Sequence, residues 1–229
     1  MNEIISIDWK AQNDGIQSIF KHFLVSLLSS QPYYVNKIIS MMLKSLSEVG
    51  PNDAVVIQKF SIDIIKITTD TVPSSLKQVQ SGIKNNSPHT TRPVEVHQSF
   101  YRNMLALVDV IPTLFNDVVF EIISSVVKVD LDITQSTEGN VFAMEEEQGQ
   151  GEENKLDLLL LELLLYIKTD LIRSAAWCKV ILLTFDTLIL PTHNPPYSPL
   201  IMFYYFNIYP ASRSVLLDYL WSVFIDNNR

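Results

Sequence analysis

The residues best suited to carry chemistry stand together in the stretch FDTLILPTHN, residues 185–194. Asp186 precedes His193 by about two helical turns, so on a helix both lie on one face. A carboxylate beside an imidazole is the pair that activates a hydroxyl nucleophile, and Thr192 is adjacent. The sequence has no Gly-x-Ser-x-Gly nucleophile elbow, and Pro191 cannot continue a helix. We therefore favour a corner in which Thr192 and His193 bond unpaired helix-end carbonyls over an α-helical hydrolase.

Other nucleophiles and metal ligands are sparse. The single cysteine, Cys178, excludes an intrachain disulfide and every Cys-based zinc motif. It stands in the apolar context RSAAWCKVILL, which favours a buried, unreactive thiol over a nucleophile. No His-x-x-x-His pair occurs among the four histidines, which are His22, His89, His97 and His193. We expect no catalytic residues, no metal site and no cofactor.

An acidic segment interrupts the chain at residues 134–155, TQSTEGNVFAMEEEQGQGEENK. It has little apolar surface to offset the entropy of ordering, so we expect a disordered acidic loop. Its carboxylates lack the spacing of an EF-hand. Two interpretations of its glutamates remain open, namely contact with a basic partner and no specific role. The glutamates are Glu145, Glu146, Glu147, Glu152 and Glu153.

Charge and composition narrow the class of partner. The 229 residues carry a net charge of −8, include 6 glycines, and contain no cluster of Lys and Arg along the sequence. Nucleic-acid binding depends first on neutralising phosphates, so direct specific binding of DNA or RNA is not expected. The N-terminus lacks a signal-peptide pattern. The most apolar run, residues 156–167, is shorter than the roughly 20 residues of a membrane span, so no membrane segment is expected.

The elements that must position these residues are helices. Apolar residues recur at helical spacing through most of the chain, and short Pro-containing corners separate the helices in pairs at about 40 residues. This pattern predicts an all-α, HEAT-like helical repeat solenoid, with an irregular helical bundle as the alternative. We expect one helical-repeat domain over 1–229 with helices at 16–31, 34–49, 53–72, 74–84, 94–111, 113–131, 156–168, 170–190, 197–209 and 211–225.

One corner offers hydroxyl groups for regulation. Val72-Pro73 is followed by Ser74 and Ser75, which suit a helix cap. Phosphorylation there would add about two negative charges and could block docking to another protein.

Three segments together resemble the RNA polymerase I-specific transcription initiation factor family, TIF-IA. They are FDTLILPTH with LIMFYYFNI and LLDYLW, the helix pair YRNMLALVDVIPTLFNDVVFEIISSVVKVDLDI, and STEGNVFAMEEE. The most specific motif is the corner of Asp186, Leu190, Pro191, Thr192 and His193. Similarity extends upstream to about residue 16. Members of the family are longer, so the chain resembles a partial copy of a longer domain.

The resemblance implies a HEAT-repeat factor without enzymatic activity. Such a factor binds RNA polymerase I subunits and bridges them to promoter-bound core-factor proteins at ribosomal RNA genes. It implies nuclear and nucleolar localisation, a homodimer, and regulatory phosphorylation of Ser74 and Ser75, although Leu76 replaces the proline of the family pattern. The alternative function is a generic HEAT-type adaptor or scaffold.

Overall fold

The computed structural model describes residue 9 and the ranges 14–47, 54–139, 146–192 and 195–227. These residues form ten α-helices and contain no strand. The helices are α1 (Asp14–Ser30), α2 (Val35–Ser47), α3 (Ala54–Thr71), α4 (Leu76–Asn85), α5 (Val94–Val110), α6 (Phe115–Gly139), α7 (Glu146–Thr169), α8 (Ser174–Thr184), α9 (Leu200–Ile208) and α10 (Arg213–Asn227). Each predicted helix is present, and the all-α prediction is confirmed.

Five short corners of one geometry join the helices in pairs. In each, a single turn of 3-10 helix links the two helices, and four of the five begin with proline. The residue before each proline is extended, as at Val72 with φ −129° and ψ 84°, because proline excludes the helical conformation there. The 3-10 turns are Pro32–Tyr34, Pro73–Ser75, Pro112–Leu114, Leu171–Arg173 and Pro210–Ser212.

Backbone hydrogen bonds satisfy the groups that a corner would otherwise leave unpaired. The Val72 N–H donates to the Thr68 carbonyl at 2.9 Å, and the Ser75 N–H donates to the Val72 carbonyl at 2.9 Å. Equivalent bonds occur at Ile111 and at Tyr209. The corner therefore ends one helix and begins the next without leaving buried polar groups unpaired.

The chain divides into two compact units, residues 1–89 with 95–118 and residues 90–94 with 119–229. In the first unit, Trp9 stacks on Phe60 with ring centroids 4.4 Å apart. Gly82 lets α4 approach α2 closely, since a Cβ at that position would clash with Leu43 Cδ1. The second unit is built around the fully buried Trp177 and Tyr205. One domain over the whole chain stays a prediction.

The predicted disordered loop at 134–155 is wrong at both ends. Residues 134–139 continue α6, and residues 146–155 belong to α7. Glu and Gln are good helix formers, and acidic residues in the first turns of a helix interact favourably with its dipole. The prediction of disorder rested on the low apolar content of the segment. It did not take into account the helix propensity of Glu and Gln. Residues 140–145, with Glu145, lie outside the described residues.

Candidate partner-binding sites

The corner at the end of α8 is built by a π-helical turn. Residues Phe185–Ile189 widen the helix, and the Leu190 N–H donates to the Phe185 carbonyl at 2.9 Å. The Thr192 hydroxyl donates to the carbonyls of Leu188 at 2.7 Å and Ile189 at 3.1 Å. The prediction that Thr192 bonds helix-end carbonyls is confirmed. Its hydroxyl is thereby engaged in closing the helix.

Asp186 interacts with the last helix. Its Oδ1 accepts a hydrogen bond from the Tyr219 hydroxyl at 3.1 Å, and Phe185 packs edge-on against the same ring at 6.3 Å. Burial, followed by the hydrogen bond to Asp186 and its charge, raises the pKa of Tyr219 to about 12. The exposed Leu190, Pro191 and Thr192 complete this surface. His193 lies outside the described residues, so its pairing with Asp186 stays untested.

Beyond this corner, Asp130 fixes the start of α9. Its Oδ2 accepts hydrogen bonds from the Tyr197 N–H at 3.1 Å, the Ser198 N–H at 2.7 Å and the Ser198 hydroxyl at 2.6 Å. Both Asp130 and Ser198 are fully buried. The carboxylate thus satisfies two amides that precede the first turn of α9, of which the Ser198 amide would otherwise be buried unpaired.

At the Pro73 corner, the two candidate serines differ in exposure. Ser74 is exposed, whereas Ser75 is fully buried and its hydroxyl lies 3.5 Å from the Thr68 carbonyl. A kinase needs the hydroxyl at the surface, so burial of Ser75 does not fit phosphorylation of the folded helix pair. The regulatory hypothesis is therefore carried by Ser74.

The remaining candidates are distributed along the helices. Glu146, Glu147, Glu152 and Glu153 belong to α7. Cys178 is buried, and burial raises the pKa of its thiol despite hydrogen bonds from Tyr205 and Ser212, which agrees with the predicted unreactive thiol. Among the described residues, no group of three His, Cys, Asp or Glu side chains is placed to hold a metal ion. None of the described helices has the length and apolar character to span a membrane.

Comparison with known proteins identifies the family. The family model described as "RNA polymerase I specific transcription initiation factor RRN3" matches residues 1–162. The chain belongs to the RRN3 family. This agrees with the resemblance carried by the corner and repeat motifs.

Two RRN3-family relatives set the extent of the match. The RNA polymerase I-specific transcription initiation factor rrn3 of Schizosaccharomyces pombe is 18% identical over 125 residues, which cover 55% of this chain and 21% of that protein. The crystal structure of RNA polymerase I transcription initiation factor Rrn3 matches with a TM-score of 0.80 at 16% identity. That match covers 95% of this chain and 46% of the other. The chain thus spans about half of the solved relative, and it has the same helical-repeat fold.

Two buried polar residues of this RRN3-family chain were not singled out from the sequence. Asn103 donates to the Leu46 carbonyl at 2.6 Å and accepts from Gln58 Nε2 at 2.8 Å, so it ties α5 to the end of α2 and to α3. Asp130 belongs to the quoted Lys-x-Asp, but no role was assigned to it. Each was detectable as a polar residue on the apolar stripe of a helix, a position that demands a hydrogen-bond partner.

A third missed group stands at the corner that lacks proline. Asp170 Oδ2 accepts hydrogen bonds from Arg173 Nε at 2.8 Å and Trp177 Nε1 at 2.9 Å. Arg173 also donates to the Tyr166 hydroxyl at 2.9 Å. These side-chain bonds hold the residue before the 3-10 turn, where Leu171 cannot restrict the backbone as proline does.

Proposed function

We propose that the chain acts in transcription initiation by RNA polymerase I, through protein–protein contacts and without catalysis. In this proposal it binds RNA polymerase I subunits and bridges the polymerase to promoter-bound core-factor proteins at ribosomal RNA genes. It acts in the nucleus, at the nucleolus. The observation that carries the proposal is the family match over residues 1–162, and the fold likeness to a solved initiation factor supports it.

The paired-helix geometry supports an interaction scaffold. Paired helices bury one face and leave the other exposed over several repeats, and such surfaces bind partners by area and shape. Asp186 and Thr192, the described members of the only acid–base candidate in the sequence, are committed to Tyr219 and to helix-end carbonyls. Phosphorylation of the exposed Ser74 would regulate binding by adding charge beside α4.

The first test is co-sedimentation of the purified chain with RNA polymerase I, with RNA polymerase II as the control. We expect binding to polymerase I and little to polymerase II. Equal binding to the two, or binding to neither, would contradict the proposal that this chain carries a specific docking surface. Analytical ultracentrifugation of the same sample tests the predicted homodimer.

A further inference from the structure

A groove lies between α2 and α4, inside the first compact unit. Its volume is about 330 Å³, at the lower end of the range of roughly 300–1,000 Å³ that ligand pockets occupy. Gly82, where α4 approaches Leu43 of α2 closely, is one of its lining residues. Apolar carbon makes up most of its lining, and amide, hydroxyl and ammonium groups are contributed by Asn36, Ser40, Lys77, Gln78, Ser81 and Asn85.

One polar atom in this groove lacks a partner. Gln78 Oε1 is buried and accepts no hydrogen bond from the described part of the chain. An unpaired buried acceptor is destabilising, because it has lost its hydrogen bond to water without gaining another donor. A donor brought by a ligand would remove that cost, so the atom favours an occupied groove.

The two helices also carry charge of one sign. The sequence has no Asp or Glu between Asp14 and Glu48, and none between Asp70 and Glu95. The exposed lysines on α2 and α4 flank the groove serines at distances of one helical turn: Lys37 and Lys44 flank Ser40, and Lys77 and Lys84 flank Ser81. A chain of net charge −8 therefore has two neighbouring helices whose own charged side chains are all positive. The Asp117 carboxylate of α6 contacts α4, where it accepts a hydrogen bond from Gln80 Nε2 at 2.8 Å.

We propose that the groove between α2 and α4 binds an extended acidic peptide segment of a partner protein. Side-chain amides and hydroxyls both donate and accept hydrogen bonds, which matches the alternating N–H and C=O groups of an extended backbone. Lys77 in the lining and Lys84 on the same helix attract carboxylates and repel basic segments. The lining has no aromatic residue, whereas single-stranded nucleic acid is bound largely by stacking on aromatic side chains.

The direct test uses a fluorescent peptide and the full chain. The probe is a labelled peptide of about ten residues, an extended length of about 33 Å, with alternating glutamate and glycine. Fluorescence anisotropy should show saturable binding that weakens as salt is added, because screening shortens the reach of the lysine charges. A peptide of alternating lysine and glycine should not bind. An oligo-dT strand of the same length should compete poorly, and stronger binding of that strand would overturn the proposal in favour of nucleic acid.

Charge-reversal variants locate the binding. Lys77→Glu should weaken binding of the acidic peptide by about tenfold, the loss expected for a charge-assisted hydrogen bond. Lys66→Glu makes the same change of net charge at an exposed position of α3 outside the groove. It should change the affinity less than twofold. Equal losses in both variants would show a general charge effect and would contradict the proposed site.

Gln78→Met separates binding from folding. Methionine has nearly the shape of glutamine but lacks the unpaired acceptor, so the thermal midpoint should stay or rise while peptide affinity falls about fivefold. Unchanged affinity in a folded Gln78→Met protein would contradict a role for the groove. Because these assays contain no polymerase, their outcome is independent of the co-sedimentation result.

Discussion

At the scale of single residues, the strongest constraint is the buried carboxylate of Asp130. It receives three hydrogen bonds from the segment that leads into α9, and it lies 68 residues away from Ser198 in sequence. The local sequence shows the apolar stripe on which Asp130 lies. It does not indicate which distant residues donate hydrogen bonds to its carboxylate. For this reason the helix was predictable and the contact was not.

Replacing Asp130 by Ala should lower the free energy of unfolding by about 3 kcal/mol. Three hydrogen bonds disappear, and the amide and hydroxyl of Ser198 remain buried without partners. Urea denaturation measures the change. Asp157→Ala, at an exposed position of α7, should change it by less than about 0.5 kcal/mol. A loss below about 1 kcal/mol at Asp130 would show that this carboxylate does not hold the start of α9.

Ser74 and Ser75 should respond oppositely to a charge. Ser74→Asp adds an exposed carboxylate before α4, where the helix dipole favours it, so stability should hold or rise slightly. Binding to RNA polymerase I should weaken, because the new charge adjoins the basic face of α4. Ser75→Asp would bury a carboxylate and should destabilise the fold by on the order of 3–5 kcal/mol.

The measurements are thermal unfolding and the co-sedimentation assay, with Ser26→Asp on the exposed face of α1 as the matched charge control. Equal polymerase binding by Ser74→Asp and Ser26→Asp would count against a regulatory role for Ser74. A Ser75→Asp protein as stable as the parent would show that the corner tolerates a charge at its buried position.

At the scale of elements, the predicted helices are all present because each shows an apolar stripe and a defined corner. The exception was the acidic segment, where α6 and α7 both extend further than predicted. Hydrophobic periodicity predicts nothing in a segment without apolar residues. Helix formation in such a segment depends on the helix propensity of its residues and on continuity with a helix that is already packed. The hydrogen bond of Thr192 was predictable, because its donor and its acceptors are close neighbours in the sequence.

The contact between the π turn and α10 should make the stability of the protein depend on pH in the alkaline range. Tyr219 has a folded-state pKa of about 12, against an ordinary value of 10. Below pH 10 the phenol is protonated in both states, so its stabilising effect is fully present. Between pH 10 and about 12 the unfolded chain loses this proton more readily, and stability falls. Tyr219→Phe should abolish this part of the pH dependence.

Ultraviolet titration of the phenolates follows this group directly. The amplitude of the component with a midpoint of about 12 should fall in Tyr219→Phe and stay unchanged in Tyr33→Phe, which alters a side chain that is 88% exposed. Burial also raises the pKa of Tyr205 and Tyr209, so the amplitude near pH 12 is the quantity compared. An amplitude in Tyr219→Phe equal to that of the parent would refute this assignment.

At the scale of the whole molecule, the sign of the charge differs from place to place. The net charge of −8 suits encounter with basic partners, whereas the α2–α4 surface suits an acidic one. Total charge was readable from the sequence, and it argued for a basic partner alone. The basic surface emerges because folding brings together two stretches without carboxylates.

The repeated corners also supply fixed points for comparing distant relatives. At 16–18% identity, aligning one amphipathic helix with another is ambiguous, since a slip of three or four positions preserves the apolar stripe. A 3-10 turn preceded by an extended residue has no such translational freedom. Alignments anchored on the first residue of each corner would give every helix pair one fixed position. These residues are Pro32, Pro73, Pro112, Leu171 and Pro210. The interval from Pro112 to Leu171 is longer than the other intervals between corners. In such an alignment it is treated as an insertion between helix pairs, and the pairs on either side stay in register.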